Sequence, residues 1–241
     1  MTTITKELIG RHYWTAPNGV KKLKITFKNF DFAVCHETNG TSFTWLDSDG
    51  AAYSAGGNFE GSLGTGNNID SSVPVAVAGG RKYFFLSGYS QDNRAAIERG
   101  TYALYAWGGY NGSGMLGDGT LVTKSSPVAV IGGKQWWLIQ GGNTFHALER
   151  FTGRGYAWGG NYDGEAGTNS PFGTRSSPVV MVGPSAWATI SGKYGHRMGI
   201  ERNTGLLWTW GSSQDGALGD GSYGFGFGQS SPIQIRSEEH T

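Results

Sequence analysis

Few residues of this chain have the types and spacing that catalysis or metal binding requires. We interpret His146 and His196 as occupying matching positions of a repeat. A histidine that recurs in this way favours a structural hydrogen bond over metal ligation. Asp47-Ser48-Asp49-Gly50 resembles a calcium loop, but a third acidic ligand and a distal Glu are missing, so a hairpin turn is favoured over calcium. Cys35, in an apolar run, is interpreted as a small buried side chain. We therefore predict no enzyme activity, no catalytic residues, no metal site and no cofactor.

Composition narrows the class of protein. The 241 residues include 42 Gly, 13% are aromatic, only 15% are charged, and the net charge is +1. This balance lacks the basic surface of a nucleic-acid binder, and the aromatic content argues against disorder. No apolar run is long enough for a membrane span, and no signal peptide precedes Trp14. We expect no nucleic-acid partner and no membrane association, and a location in the cytoplasm or on a virion.

A repeat of about fifty residues organises the sequence. Gly56, Gly108, Gly159 and Gly211 are spaced by 52, 51 and 52 residues. A Gly-rich stretch and a Ser-Ser pair followed by proline recur at the same period. Such a period without helical patterns is typical of propeller blades.

Each period contains four short strand-like runs, which is the number in one blade. The sequence therefore predicts an all-β fold, a partial β-propeller of about four blades of four antiparallel strands each. In the first block the predicted strands are Leu23–Phe27, Phe32–Cys35, Ala51–Ser54 and Val75–Val77, with an insertion at about 37–47. The predicted blades cover about 20–79, 80–132, 133–183 and 184–235, after a lead-in at 1–19.

The repeated residues have structural roles. Trp107, Trp158 and Trp210 each end a strand and are expected to pack between neighbouring blades. We expect the proline after each Ser-Ser pair to open an outer strand, where its missing N–H is tolerated. Small apolar side chains are expected to anchor the Gly-rich loop in the core, and these are Leu63, Leu116, Ala166 and Leu218.

The long loops that follow the third strands should gather on one face, here called the loop face. Aromatic side chains on such loops suit recognition of a protein or a glycan, although packing within their own loops is the alternative. The candidate binding residues are Phe59, Tyr110, Tyr162, Tyr223, Phe225 and Phe227, beside acidic Glu60, Asp163 and Asp215. On the opposite face, Arg99, Arg150 and Arg202 end equivalent hairpins and predict an arc of charge, unless they only form local ion pairs.

These motifs resemble the regulator of chromosome condensation repeat over roughly residues 20–235. The resemblance rests on the Trp-Gly-x-Asn-x-x-Gly-x-Leu-Gly-x-Gly stretch, on Ser-Pro-Val, and on the segment Ile190–His196. It implies a seven-bladed β-propeller. The family includes an exchange factor for a small nuclear GTPase, a secreted bacterial inhibitor of β-lactamase, and bacterial and phage proteins.

The function we predict is a non-enzymatic binding scaffold, in a setting such as a phage tail or bacterial surface assembly, because Trp14–Val20 is similar to segments of such proteins. The alternative implied by the family is an exchange factor for a small GTPase.

The end of the chain departs from the repeat. The hexapeptide Arg236–Thr241 resembles a translated sequencing adapter and is excluded from the fold. Because four blades cover only part of a circle, we predict a metagenomic fragment whose full-length chain supplies the missing blades.

Overall fold

The computed structural model describes residues 3–7, 22–26, 42–88, 93–170, 173–192, 195–224 and 228–235. Two backbone strands, β1 (Thr3–Glu7) and β2 (Lys22–Thr26), pair in parallel as a separate sheet. The other strands form four antiparallel sheets in chain order, which are the blades. The all-β partial propeller predicted from the sequence is thus confirmed. Blade 1 has three described strands, which are β3 (Ser42–Leu46), β4 (Ala52–Gly56) and β5 (Ser71–Ala76). Blade 2 consists of β6 (Tyr83–Gly88), β7 (Arg94–Glu98), β8 (Leu104–Trp107) and β9 (Val128–Ala129), and blade 3 consists of β10 (Trp136–Gln140), β11 (Thr144–Glu149), β12 (Gly155–Asn161) and β13 (Gly173–Val180). Blade 4 consists of β14 (Trp187–Ser191), β15 (His196–Glu201), β16 (Leu207–Gly211) and β17 (Gln229–Gln234).

Blade 1 departs from the strands predicted for it. Ser42–Leu46, predicted as part of an insertion, is the strand β3 that pairs with β4. Leu23–Phe27 was predicted to be a strand of this blade, yet Lys22–Thr26 pairs with Thr3–Glu7 instead. The alternation in Ser42–Leu46 is that of a strand, with Ser42, Thr44 and Leu46 buried. The predicted run Phe32–Cys35, the lead-in Trp14–Val20 and the end Arg236–Thr241 lie outside the described residues.

The proline after the Ser-Ser pair lies where predicted only in blade 2, in which Pro127 directly precedes β9. Pro74, Pro178 and Pro232 lie inside the last strand of their blades rather than at its start. In blade 3 the pairing shifts register between Ala157 and Gly159, so the Ser-Ser-Pro segment bulges away from its partner strand. A bulge leaves a residue outside the ladder, which is why proline is accepted there.

The cores lie between consecutive blades. Three apolar clusters bridge blades 1 and 2, blades 2 and 3, and blades 3 and 4. A tryptophan belongs to each, as predicted, and its indole N–H donates to a backbone carbonyl of the preceding blade. The three bonds are Trp107 to Ser62 at 3.2 Å, Trp158 to Met115 at 2.9 Å and Trp210 to Glu165 at 2.9 Å.

Glycine allows each indole to approach the preceding blade. Gly117 has a φ of +65° and lies so near Trp158 that a Cβ would be 2.7 Å from the indole nitrogen. Gly64 and Gly167 meet Trp107 and Trp210 in the same way, at 2.6 and 2.9 Å. Only glycine combines a left-handed backbone with this close contact. The repeated glycines therefore serve the inter-blade interface as much as the turn.

Backbone hydrogen bonds complete each inter-blade interface. At the hairpin end, the N–H of Trp136 donates to the carbonyl of Tyr102 in blade 2, at 2.9 Å. At the loop end, the N–H of Gly119 donates to the carbonyl of Ser176 in blade 3, at 2.8 Å. Both bonds recur at the other two interfaces. The recurring pairs are Tyr83 to Gly50, Trp187 to Gly153, Gly66 to Ser125 and Asn169 to Ser230.

Candidate binding face

The loop face consists of the segments between the last two strands of each blade, which are 57–70, 108–127, 162–170 and 212–224 where described. A buried asparagine holds each of the first three loops. In the second loop, Asn111 accepts the N–H of Leu116 at 2.9 Å and donates to the carbonyls of Thr120 and Val122. Asn58 and Asn161 make the corresponding bonds. The side chains predicted to anchor these loops, Leu63, Leu116, Ala166 and Leu218, are buried as expected.

Four of the six predicted aromatic residues lie in the described part of the chain, and all four are 55–72% exposed: Phe59, Tyr110, Tyr162 and Tyr223. Two of them also contact the loops. The hydroxyl of Tyr162 lies 3.0 Å from Ser113 Oγ, which links the loops of blades 3 and 2. The ring of Tyr110 covers Gly112 of its own loop. These rings are therefore held in place while much of their surface faces solvent. Phe225 and Phe227 lie outside the described residues.

Three exposed aliphatic side chains extend this surface and were not singled out from the sequence: Ile69, Leu121 and Val122. The asparagines hold the backbone at two of these residues, because Asn58 donates to the carbonyl of Ile69 and Asn111 donates to that of Val122. Each of these two residues lies 11 positions after its asparagine. An apolar residue at that fixed distance is a signal that could have found them.

A cavity of about 440 Å³ opens on the loop face between blades 3 and 4, lined by Asp163, Gly195, His196, Ser212, Gln214, Asp215 and Ala217. Both carboxylates are exposed. Burial, together with the nearby charge of Arg197, lowers the pKa of His196 below its ordinary value. The cavity is thus lined by hydrogen-bonding groups and by two negative charges.

The predicted arc of arginines lies at the other end of the blades. Arg99, Arg150 and Arg202 follow the second strand of blades 2, 3 and 4, and each contacts the hairpin of the preceding blade. The Arg150 guanidinium lies 3.5 Å from the centroid of the Tyr102 ring, and a Cβ at Gly153 would be 2.6 Å from Arg202 Cζ. The three side chains therefore also bridge consecutive blades.

The glutamates beside these arginines have other partners. Glu98 pairs with Arg81 at 3.0 Å, and Glu149 pairs with Lys134 at 3.2 Å. A hydrogen bond from Thr101 and the contact with Arg81 lower the pKa of Glu98, and Thr152 and Lys134 do the same for Glu149. This face therefore contains local ion pairs beside the arginine contacts.

The two histidines do not occupy equivalent positions, although the sequence was interpreted in that way. His196 pairs with Gly211 as Thr144 pairs with Gly159, so His146 lies two residues further along its strand and the two are not equivalent. His146 Nε2 lies 2.9 Å from the Glu165 carbonyl and donates to it. Burial and the charge of Arg197 hold the pKa of His146 well below its ordinary value. His146 thus has the structural hydrogen-bonding role that the sequence favoured.

Buried arginines at two interfaces were not anticipated. Arg197 donates from Nε to His146 Nδ1 at 3.4 Å and from Nη2 to the Thr144 carbonyl at 3.3 Å. Arg94 binds Ser42 Oγ at 3.1 Å and Thr44 Oγ1 at 3.3 Å. Because both side chains reach into the preceding blade, polar contacts as well as apolar ones fix how blades align.

The described segments contain no group of three or more His, Cys, Asp or Glu side chains placed to hold a metal ion. They also contain no helix with the length and apolar character of a membrane span. Asp47 accepts the N–H groups of Asp49 and Ala51, which forms the hairpin turn predicted at Asp49-Gly50.

Two known proteins are similar to this chain in sequence. The chain is 27% identical to the ultraviolet-B receptor UVR8 of Arabidopsis thaliana over 192 residues, which are 78% of the chain and 42% of the receptor. It is 29% identical to the human E3 ubiquitin-protein ligase HERC2 over 167 residues, 64% of the chain and 3% of the ligase. It therefore spans less than half the length of either relative. No family model matches the sequence.

Solved structures of other proteins share the fold of this chain. Human WBSCR16 superposes with a TM-score of 0.69 at 20% identity, over 81% of the chain and 51% of that structure. Yeast RCC1 (Prp20), solved bound to Kap60, superposes with a TM-score of 0.66 at 20% identity, over 82% of the chain and 47% of that structure.

Fold and repeat together define a partial β-propeller. The contacts of tryptophan, glycine and Ser-Ser-Pro recur at every interface between blades described above. With the relatives just named, they make the chain similar to β-propellers of the regulator of chromosome condensation repeat family, and the fold is that of such a propeller.

Proposed function

We propose that this chain is a non-enzymatic binding scaffold that recognises a protein or glycan partner through its loop face. The proposal rests on the large apolar side chains that the loops expose to solvent. Phe59, Tyr110, Tyr162 and Tyr223 are more than half exposed, and Ile69, Leu121 and Val122 are exposed beside them. Rigid, exposed aromatic residues are frequent hot spots of binding surfaces.

The rigidity of the loops supports this role. The three asparagines bind both ends of the first three loops. The Tyr162 hydroxyl also contacts Ser113 of the preceding blade. A surface that is ordered before binding loses little conformational freedom when the partner binds. Phe225 and Phe227 are proposed members of the same face on sequence grounds alone.

The chemistry of the face fits either class of partner. Tyrosine rings stack on sugar rings and also fill pockets of protein surfaces. Asp163 and Asp215 at the cavity between blades 3 and 4 offer acceptors for sugar hydroxyls or for basic side chains. We propose a phage tail or a bacterial surface as the setting. Regulation of a small GTPase is the alternative, and it rests on the family resemblance alone.

Binding assays with matched variants test the proposal. The chain is immobilised and screened against a glycan array and against a bacterial lysate, and the partner found is then purified for titration. A variant with Tyr110→Ser, Tyr162→Ser and Tyr223→Ser should lose at least tenfold in affinity. Phe151→Ser, on an exposed ring at the hairpin end, is the control and should bind as the parent does. Equal affinities of the parent and the triple variant, or loss in the control alone, would contradict the proposal.

A further inference from the structure

Acidic side chains are concentrated on the loop face. Its four segments contain seven Asp or Glu residues and a single basic residue, Lys124. The hairpin end consists of the turns and links 47–51, 77–82, 98–103, 130–135, 149–154, 181–186 and 201–206, where seven Lys or Arg outnumber five Asp or Glu. The two faces therefore differ in the sign of their charge, although the whole chain has a net charge of only +1. The acidic residues of the loop face are Glu60, Asp70, Asp118, Asp163, Glu165, Asp215 and Asp220.

Two of these carboxylates line the cavity between blades 3 and 4. Asp163 and Asp215 are both exposed, and the N–H of Asp163 donates to the buried carboxylate of Glu165 at 2.7 Å, which holds the backbone of the loop. Within the described segments, no Lys or Arg forms an ion pair with Asp163 or Asp215. The negative charge of the cavity is therefore available to a cation from another molecule.

A missing side chain keeps the cavity open. A Cβ built at Gly195 would be 2.8 Å from Asp163 Oδ2 and 3.1 Å from the Cβ of Ser212. Gly195 is not among the glycines with a positive φ. Glycine is therefore needed at this position for space and not for a left-handed backbone. Any larger residue would displace the Asp163 carboxylate.

Exposed aromatic rings lie next to both carboxylates. Tyr162 directly precedes Asp163, and a Cβ built at Gly216, the residue after Asp215, would be 3.8 Å from Cδ2 of Tyr223. The two tyrosines are 55% and 72% exposed. Carboxylates pair strongly with guanidinium and ammonium groups, and the faces of aromatic rings attract the same cations. A neutral sugar would use the rings but gain nothing from the excess of negative charge.

The positive groups near the cavity do not oppose a cation. Burial and the charge of Arg197 lower the pKa of His196, so its ring is neutral at pH 7. Arg197 is itself buried and donates to His146 and to the Thr144 carbonyl in blade 3. The two carboxylates therefore determine the charge that the cavity presents at neutral pH.

We propose that the partner of the loop face is a protein with a basic segment, and that the cavity between blades 3 and 4 receives an arginine or lysine side chain of that segment. This inference rests on the binding role proposed above and selects a protein over a glycan. The cation pairs with Asp163 and Asp215, and its remaining N–H groups have the Ser212 hydroxyl and the Gln214 amide oxygen as acceptors. The other acidic residues of the face attract the partner over a longer range and accelerate its association.

Selection from a display library of random short peptides, with a glycan array beside it, tests the charge of the partner. Whole chain is the bait in both. We expect the selected peptides to be at least threefold richer in Arg and Lys than the starting library. The peptide that binds best is then titrated against the parent chain and against variants of the cavity.

The decisive variant carries Asp163→Asn and Asp215→Asn, which remove the two charges at constant size. Asn also tolerates the left-handed backbone of residue 215, at φ +56°. This variant should bind the peptide at least tenfold more weakly. Asp70→Asn with Asp220→Asn removes the same charge from the same face outside the cavity, and should cost less than threefold. Asp70 and Asp220 each accept a backbone N–H, which Asn accepts equally.

Two further measurements separate charge from shape. Gly195→Ala changes no charge but displaces the Asp163 carboxylate, and should weaken peptide binding at least fivefold. Raising the salt concentration from about 50 to about 300 mM should weaken binding to the parent more than binding to the Asp163→Asn, Asp215→Asn variant, because salt screens exposed charges. Sedimentation at several concentrations shows whether a second copy of the chain occupies the face.

The outcomes distinguish this inference from the proposed function. Selected peptides without an excess of Arg and Lys, equal affinity for the parent and the Asp163→Asn, Asp215→Asn variant, or self-association that blocks the peptide would each overturn the basic partner. If a glycan or an uncharged peptide binds instead, and the triple tyrosine variant loses it, the binding role of the loop face stands while the basic partner is wrong. If no peptide or glycan depends on those tyrosines, both proposals fail.

Discussion

The three interfaces between blades and the exposed side of blade 4, which carries Met198, Leu207 and Ala217, are built from the same repeated residues in two different surroundings. At the interface of blades 2 and 3, Gly117 touches Trp158, Leu104 is buried, and the Met115 carbonyl accepts an indole N–H. On the exposed side of blade 4, Gly219, Leu207 and Ala217 hold the positions that Gly117, Leu104 and Met115 hold in blade 2, and they face solvent. The comparison teaches that the glycine-rich motif is chiefly an interface motif, because most of its contacts belong to the next blade.

The largest effect is expected from Trp158→Ala, which removes the indole at the centre of the interface between blades 2 and 3. Trp158 is 1% exposed and stacks on Phe145. Removing a buried ring of this size should lower the free energy of unfolding by about 4 kcal/mol. Urea denaturation followed by circular dichroism measures this loss. Trp158→Phe, which keeps a ring but not the N–H, should lose roughly half as much, and equal stability of all three proteins would contradict the interface role.

A glycine pair tests the comparison directly. Gly117→Ala must place a Cβ against the Trp158 indole and also adopt a left-handed backbone, so it should cost about 3 kcal/mol. Gly219→Ala, at φ +68°, meets no described atom and should cost only about 1 kcal/mol, from backbone strain alone. Thermal or urea unfolding of the two variants measures the free energy of unfolding that each of them loses. Equal losses would mean that the glycines serve only the turn.

The interface between blades 3 and 4 should also respond to pH. His146 is buried, and its pKa is held well below the ordinary value of 6.5, chiefly by burial and next by the charge of Arg197. The unfolded chain then takes up a proton below pH 6.5 that the folded chain does not. The stability associated with neutral His146 is therefore full above pH 6.5 and declines as the pH falls.

By pH 5 this decline should reach about 2 kcal/mol. Unfolding measured at several pH values should show a shallower slope for His146→Gln than for the parent chain. His196→Gln is the control, because His196 is only partly buried and should change the slope less. An unchanged slope in His146→Gln would show that other groups govern the acid response.

The smallest effect is expected at the rim of the interface between blades 2 and 3. Tyr162→Phe removes the 3.0 Å contact with Ser113 but keeps a ring that is already more than half exposed. A single partly exposed hydrogen bond contributes about 0.5 kcal/mol. Urea unfolding should detect little change, and Tyr110→Phe is the matched comparison. A loss above about 2 kcal/mol would place Tyr162 in the core of the interface and weaken its assignment to a binding surface.

Much of the fold was predictable because the anchors repeat. Trp107, Trp158 and Trp210 set the period, and each packs between blades as expected. Blade 1 was harder because Ala55 replaces tryptophan there and polar Ser42 and Thr44 form the buried side of β3. Their burial depends on Arg94 of blade 2, which is distant in sequence. A contact of this kind leaves no local pattern.

The candidate face was predictable only in part. The loops and their exposed tyrosines followed from the repeat, whereas exposed Ile69 and Val122 lie at backbone positions that Asn58 and Asn111 hold from 11 residues earlier. The two histidines were mismatched because His146 and His196 begin near the same repeat position but differ by two residues in strand register. A two-residue offset keeps the same side of a strand, so alternation in the sequence cannot reveal it.

Because each apolar cluster joins only adjacent blades, the described blades form a one-dimensional array. In such an array stability is a sum of unit terms and nearest-neighbour terms, and units at an end have one neighbour fewer. Amide exchange should therefore be fastest in β15 and β16 on the exposed side of blade 4 and slowest in β10 and β11, which have blades on both sides. Local opening would then begin at blade 4 and spread inward one blade at a time, while the loops of blades 2 and 3 keep their arrangement.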